Sequence, residues 1–183
     1  DRVRIVIWVL AIALSIWASV VALLEAYPDQ AALDARAALL DNPAAIMMTG
    51  PLFALEHYTL PAMVANELLL YVLIPAGIMG ILFMVRHTRA EEESGRLELV
   101  RSGPVGRFAP AVAAGLTVLI ASALVWLFSA LALIGSDLAV ADSFAFGAAT
   151  MLTALVFAAV AAVTAQITEH SRSASGMALA VLA

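Results

Sequence analysis

Long runs of apolar residues, separated by shorter polar segments, dominate the chain. Four runs contain 18 to 23 residues without an ionised side chain: Ile5–Leu24, Leu68–Val85, Val112–Ile134 and Phe144–Val163. A helix of roughly 20 residues crosses the ~30 Å hydrocarbon core of a bilayer, and a backbone in lipid must satisfy its own hydrogen bonds. The pattern predicts an all-α fold: a polytopic transmembrane helical bundle with four complete spans and a fifth starting near residue 174.

The composition points to a membrane protein independently of this pattern. Hydrophobic residues make up 64% and charged residues 13% of the 183 residues, and the mean hydropathy is +1.02. Soluble domains contain roughly 45–50% apolar and about 25% charged residues. Residues 1–183 are therefore predicted to form a single transmembrane domain. Because the apolar run Met177–Ala183 is too short to cross a bilayer, we expect the sequence to be a piece of a longer protein.

The arginine residues indicate an orientation. Eight of the nine lie in residues 1–4, 86–107 and 168–173, which the spans would place on one side, whereas the other side has only Arg36. Positive residues are enriched in cytoplasmic loops. We therefore predict a cytoplasmic N-terminus.

Residues 25–62 are predicted to form an extracytoplasmic segment with helical structure. Residues Asp34–Leu40 have a helical pattern, Asn42–Pro43 indicates a stop and a restart, and Gly50–Pro51 indicates a turn. The apolar side chains of this segment fit two arrangements. In the first, it lies on the membrane surface or caps the bundle; in the second, it is an ordinary folded loop.

The segment Arg86–Arg107 is predicted to contain a short amphipathic helix on the cytoplasmic side. Thr88 and Glu91 have the spacing of a capping box, and Glu92 and Arg96 are spaced for an i,i+4 ion pair. Such a helix lies on the lipid surface or docks into a groove of a cytosolic partner. Three consecutive glutamates disfavour an anionic lipid surface, so docking is the favoured interpretation.

The sequence from Arg86 to Gly103, RHTRAEEESGRLELVRSG, resembles the first cytoplasmic loop of type-2 ABC exporter permeases. It is most similar to the actinobacterial polyketide-antibiotic, or tetronasin-type, exporter group. The segments Asp1–Ile5 and Gln166–Gly176 also resemble that group. The chain looks like most of the N-terminal half of such a permease.

The resemblance implies the membrane-spanning permease subunit of an ATP-driven exporter in a bacterial plasma membrane. Such a subunit moves drug-like or lipophilic compounds out of the cell and contributes to multidrug efflux and antibiotic resistance. Its implied partners are a cytosolic ABC ATPase dimer, membrane lipid, and a second permease half or copy. The predicted helix would be the coupling helix that contacts the ATPase through Glu91, Glu92, Glu93, Arg96, Leu97, Glu98, Val100 and Arg101.

Under this interpretation the chain is a transport subunit rather than an enzyme. It has no lysine, and therefore no Gly-x-x-x-x-Gly-Lys phosphate-binding loop. ATP and magnesium would be bound by the partner subunit, and no cofactor is predicted in this chain. Two alternatives remain open: a non-transporting scaffold or signalling subunit that docks a cytosolic partner, and an intramembrane enzyme.

Three residues of the second span carry a possible gating function. Pro75 removes a backbone hydrogen bond and bends a helix, while Gly77 and Gly80 allow a neighbouring helix to approach closely. The alternative is a purely packing role. Glu67, at the outer start of the same span, is either a functional acid or a side chain that reaches water.

No catalytic or metal-binding arrangement is predicted, and the substrate-binding residues are unknown. The three histidines lack the spacing of a metal site, and a net charge of −5 disfavours nucleic-acid binding. The hydroxyl residues of the spans are predicted to form hydrogen bonds between helices. They are Ser15, Ser122, Ser129, Thr150 and Thr153.

Overall fold

The computed structural model describes residues 2–49, 52–95, 106 and 108–183. The described residues form α-helices and one 3-10 turn and contain no strand. The all-α prediction is therefore confirmed for this part of the chain. In chain order the elements are α1 (Arg2–Ala26), α2 (Gln30–Leu40), α3 (Pro43–Thr49), the 3-10 turn (Leu55–His57), α4 (Leu60–His87), α5 (Arg89–Glu93), α6 (Ala109–Ile134), α7 (Val140–Ile167) and α8 (Ser171–Leu182).

Four helical stretches are long and apolar enough to cross a membrane: α1, α4 continued by α5, α6 and α7. Each contains one of the apolar runs and extends beyond it at one or both ends. The largest extension is in α4, which begins at Leu60 rather than Leu68. Helix α8 has 12 residues and begins at Ser171, close to the predicted start of a fifth span.

Helix α7 packs against α4, α6 and α8, while α1 packs against α6 and α4. The buried positions of α7 are filled mainly by small residues, including Ala154, Ala158 and Ala161. Of its large apolar residues, Leu152 and Val156 are exposed, whereas Phe146 is buried. Small residues let helix backbones approach closely in lipid, where packing rather than hydrophobic burial drives association.

The hydroxyl residues of the spans do not connect the helices as predicted. Ser15, Thr150 and Thr153 donate to carbonyl oxygens three or four residues earlier in their own helices, at 2.8–3.1 Å. Ser122 and Ser129 are fully buried, and their hydroxyls have no hydrogen-bond partner among the described residues. The prediction of interhelical bonds is wrong at Ser15, Thr150 and Thr153, because a carbonyl of the same helix is within reach of each hydroxyl.

The predicted outer segment folds against the start of α4. Helix α2 begins at Gln30, before the predicted Asp34, because the Asp29 carboxylate accepts a hydrogen bond from the Ala32 N–H at 2.8 Å. It ends at Leu40, and α3 restarts at Pro43, as the sequence predicts. Buried side chains attach α2 to Tyr58 and α4; they are Leu33, Ala37, Leu40 and Met63. The Gly50–Pro51 turn lies outside the described residues.

Candidate functional site

Polar side chains of the described residues form two groups at opposite ends of the bundle. One group surrounds α5 and the start of α8, within the segment predicted to be cytoplasmic. The other joins α2 to α4 in the segment predicted to be extracytoplasmic. The first group contains three of the residues predicted to contact an ATPase: Glu91, Glu92 and Glu93.

The hydrogen bonds at the start of α5 differ from those of the predicted capping box. The Thr88 hydroxyl donates to the carbonyl oxygen of Met84 at 2.7 Å, in the last turn of α4, and forms no capping hydrogen bond to α5. Threonine hydroxyls often bond to a carbonyl four residues earlier, which competes with capping. The predicted capping box between Thr88 and Glu91 is therefore wrong.

The end of α5 also differs from the prediction. The helix ends at Glu93, the Ser94 hydroxyl donates to the Glu91 carbonyl at 3.0 Å, and Gly95 has a φ of +71°. Glycine adopts this left-handed conformation without the steric cost of a Cβ, and it commonly ends helices. One continuous helix from Glu91 to Arg101 is therefore wrong at Gly95. The remaining predicted contact residues lie outside the described residues: Arg96, Leu97, Glu98, Val100 and Arg101.

The side chains of α5 are bonded to the turn that precedes α8. The Glu93 carboxylate accepts hydrogen bonds from the N–H and the hydroxyl of Ser171 at 2.7 and 2.6 Å. The Arg89 guanidinium donates to the carbonyl oxygen of Glu169 at 2.9 and 2.7 Å. Glu93 thus supplies a negative charge and an acceptor where the first N–H groups of α8 lack helical partners. We call these bonds the α5–α8 contact.

Glu91 and Glu92 have neighbouring side-chain partners and keep part of their own side chains exposed. The Glu92 carboxylate lies 2.8 Å from the Arg89 guanidinium, and the Glu91 carboxylate lies 3.6 Å from Nδ1 of His87. The side chain of Glu92 remains 35% exposed, and that of Glu91 remains 43% exposed. Arg89 is therefore an ion-pair partner of Glu92 in the structure, whereas the sequence predicted Arg96, which lies outside the described residues.

At the opposite end, Glu67 is bonded to the lone arginine of the outer segment. The Arg36 guanidinium donates to both Glu67 oxygens at 3.0 and 3.1 Å, and the Tyr58 hydroxyl donates at 3.3 Å. The hydrogen bond to Glu67 raises the pKa of Arg36. Burial, followed by the Glu67 charge, raises the pKa of Tyr58 to about 12, so the phenol stays protonated as a donor.

Glu67 therefore forms an ion pair that joins α4 to α2. The sequence had suggested either a functional acid or a side chain that reaches water, and neither interpretation included this pair. The two side chains are 31% and 21% exposed. An ion pair with this exposure contributes on the order of 1 kcal/mol. The fact that Arg36 is the only arginine of the outer segment was the signal that could have identified this pair.

The two glycines of the proposed gating segment lie at close helix contacts. A Cβ on Gly80 would lie 2.1 Å from the carbonyl oxygen of Ala154 in α7. A Cβ on Gly77 would lie 2.8 Å from the Leu182 side chain and 3.1 Å from that of Phe157. Pro75 is half-buried within α4, which continues past it to His87. These contacts give both glycines a packing role, and a gating role for Pro75 stays a prediction.

All residues of this chain align with part of a known permease. The chain is 38% identical over 185 aligned positions to the multidrug efflux system permease protein Rv1217c of Mycobacterium tuberculosis. The alignment includes all of this chain and 33% of the relative, so the chain spans about a third of the length of that protein. No protein-family profile matches the chain.

The similarity and the four apolar helices together support a multi-pass membrane protein.

Proposed function

We propose that this chain is part of the membrane-spanning subunit of an ATP-driven ABC exporter of drug-like or lipophilic compounds. The observation that carries the proposal is the full-length similarity to a multidrug efflux permease. The resemblance of Arg86–Gly103 to the first cytoplasmic loop of the tetronasin-type group adds to it. ATP and magnesium would be bound by a separate cytosolic ATPase dimer.

The α5–α8 contact supports a mechanism for coupling. Helix α4 leads into α5 through Thr88, and Glu93 and Arg89 bind the residues that begin α8. A partner that pushes on α5 would therefore move the inner ends of α4 and α8 together. Two-state motion of helices, driven by a ligand that favours one state, is the usual basis of such switching.

The exposed parts of Glu91 and Glu92 are the described surface that an ATPase would contact first. Glu93 has a second role in this proposal, because its carboxylate also binds Ser171.

Reconstitution tests the proposed function directly. The permease that contains this sequence is placed in liposomes with the ATPase encoded beside its gene, and ATP hydrolysis is measured with and without lipophilic drugs. We expect drug-stimulated hydrolysis that requires both subunits and accompanies drug accumulation inside inverted vesicles. A stable complex without drug stimulation or transport would contradict the exporter and favour a scaffold or signalling subunit.

The proposed orientation predicts which positions react with membrane-impermeant reagents. These 183 residues contain no cysteine, so Glu56→Cys and Ser173→Cys each add one thiol to this part of the permease, at an exposed position. With an impermeant maleimide on intact cells, we expect labelling of the cysteine at position 56 only. The cysteine at position 173 should react after the cells are permeabilised, and the parent protein provides the background. Labelling of position 173 in intact cells would reverse the proposed topology.

A further inference from the structure

A cleft opens between α4, the α6–α7 turn and α7, at the end of the bundle farthest from α5. It has a volume of about 410 Å³, and its walls include Leu69, Leu133 and Phe146. Drug-sized ligands occupy pockets of roughly 300–1,000 Å³ with mostly apolar walls and a few polar groups. Asp142 is the one polar side chain among the residues that line this cleft.

The Asp142 carboxylate is available to a ligand. The residue is exposed in the first turn of α7, and none of the described arginines forms an ion pair with it. The proposed topology places the cleft on the outer side, where Arg36 is already paired with Glu67. The remaining outer charges are all acidic: Glu25, Asp29, Asp34, Asp41, Glu56, Asp137 and Asp142. The local field therefore attracts cations and repels anions.

The walls and the charge together select one class of ligand. A metal ion such as calcium requires six to eight oxygen ligands, and one carboxylate among apolar side chains does not provide them. A neutral lipid chain would leave the carboxylate unused. An organic cation with a large apolar body would use both features, because its body would replace water along the walls while its charge lies near the carboxylate.

We propose that this cleft is a binding site for lipophilic cations, with the Asp142 carboxylate as the charge-selective group. The proposal rests on the proposed export function, which explains why such a cation would reach the outer end of the bundle. A cargo bound there would lie close to its release side. Because the chain spans about a third of its relative, other segments of the permease would complete the walls.

Two probes of the same shape and opposite charge test the proposal. Binding of tetraphenylphosphonium and of tetraphenylborate is measured by equilibrium dialysis on the purified full-length permease without ATP. We expect Asp142→Asn to weaken tetraphenylphosphonium binding about tenfold, which corresponds to about 1.4 kcal/mol. Binding of tetraphenylborate should be weaker than that of the cation in the parent protein, and it should not weaken further in the variant.

Asp137→Asn is the matched control. It removes a charge of the same sign from the turn just before α7, but Asp137 does not line the cleft. Asparagine also tolerates the left-handed conformation that Asp137 adopts, with a φ of 62°. We expect this variant to bind tetraphenylphosphonium like the parent. Equal weakening by both substitutions would show only a general surface-charge effect and would overturn the site.

A third variant tests the cleft rather than its charge. Ala149→Leu adds apolar volume to the wall, so it should weaken cation binding while every charge remains. Parental affinity in both Asp142→Asn and Ala149→Leu would also overturn the proposal. The binding assay does not involve the ATPase, so this failure is distinguishable from a failure of the export function. If the export function fails, reconstitution shows no drug-stimulated ATP hydrolysis, whatever the result of the dialysis.

Discussion

Replacing Gly80 with alanine is expected to destabilise the bundle more than any other single methyl addition considered for this chain. The added Cβ would lie 2.1 Å from the backbone carbonyl oxygen of Ala154, so α4 and α7 could not keep their present separation. A backbone atom cannot turn away as the end of a flexible side chain can. Overpacking costs typically about 1–3 kcal/mol, and we expect Gly80→Ala to reach the upper part of that range. The midpoint of thermal unfolding in detergent measures the effect.

Gly115→Ala is the control for this substitution. Gly115 lies within α6, and a Cβ there would have no neighbour from outside its own helical turns within 4 Å. Alanine also has the higher helix propensity, by about 1 kcal/mol in a soluble helix. The control should therefore unfold at the parental temperature or above it. If the two variants unfold at the same temperature, the close contact between α4 and α7 is not a determinant of stability.

Reversing the charges of Glu92 and Glu93 is expected to have the largest functional effect. In the double variant Glu92→Arg/Glu93→Arg, the surface proposed to contact the ATPase changes from acidic to basic. We expect the protein to insert into the membrane while drug-stimulated ATP hydrolysis falls on the order of tenfold, which corresponds to about 1.4 kcal/mol of coupling. Hydrolysis and transport in the reconstituted complex provide the measurement, and unchanged transport would reject the docking role.

The same substitutions also remove the Glu93–Ser171 hydrogen bonds of the α5–α8 contact, so a separate variant is needed to distinguish the two causes. Ser171→Ala removes the hydroxyl that donates to Glu93 and leaves the charges of α5 unchanged. If Glu93 acts mainly by contacting the ATPase, this variant should retain most of the drug-stimulated hydrolysis. If it loses as much activity as the charge reversal, the internal contact explains the effect and docking through Glu93 is contradicted.

The amino-acid sequence by itself determined the number and approximate position of the four long helices. The apolar runs have no ionised residue for 18 to 23 positions, and a backbone in lipid forms either helices or closed barrels. Local signals also located the break between α2 and α3, since Pro43 cannot continue a helix but can begin one. Such features depend on neighbouring residues only, so the order of residues is sufficient to predict them.

Local signals failed where two local partners compete. Thr88 has the correct spacing to cap α5, yet its hydroxyl bonds to Met84 in α4. Thr150 bonds to Phe146 in its own helix rather than to a neighbouring helix. At Thr88 both alternatives are local, so spacing alone cannot choose between them; at Thr150 the carbonyl four residues earlier is within reach whichever helix packs beside it.

Only the tertiary structure decided which distant side chains meet. Arg36 and Glu67 are 31 residues apart, and Glu93 and Ser171 are 78 residues apart. The first pair depends on how α4 packs against α2, and the second depends on how α7 returns the chain to α5. An apolar pattern shows which residues face lipid, but it does not show which helices are neighbours. The cleft near Asp142 likewise exists because three helices approach each other there. The sequence therefore specified the helices, and their packing specified the ion pair, the α5–α8 contact and the cleft.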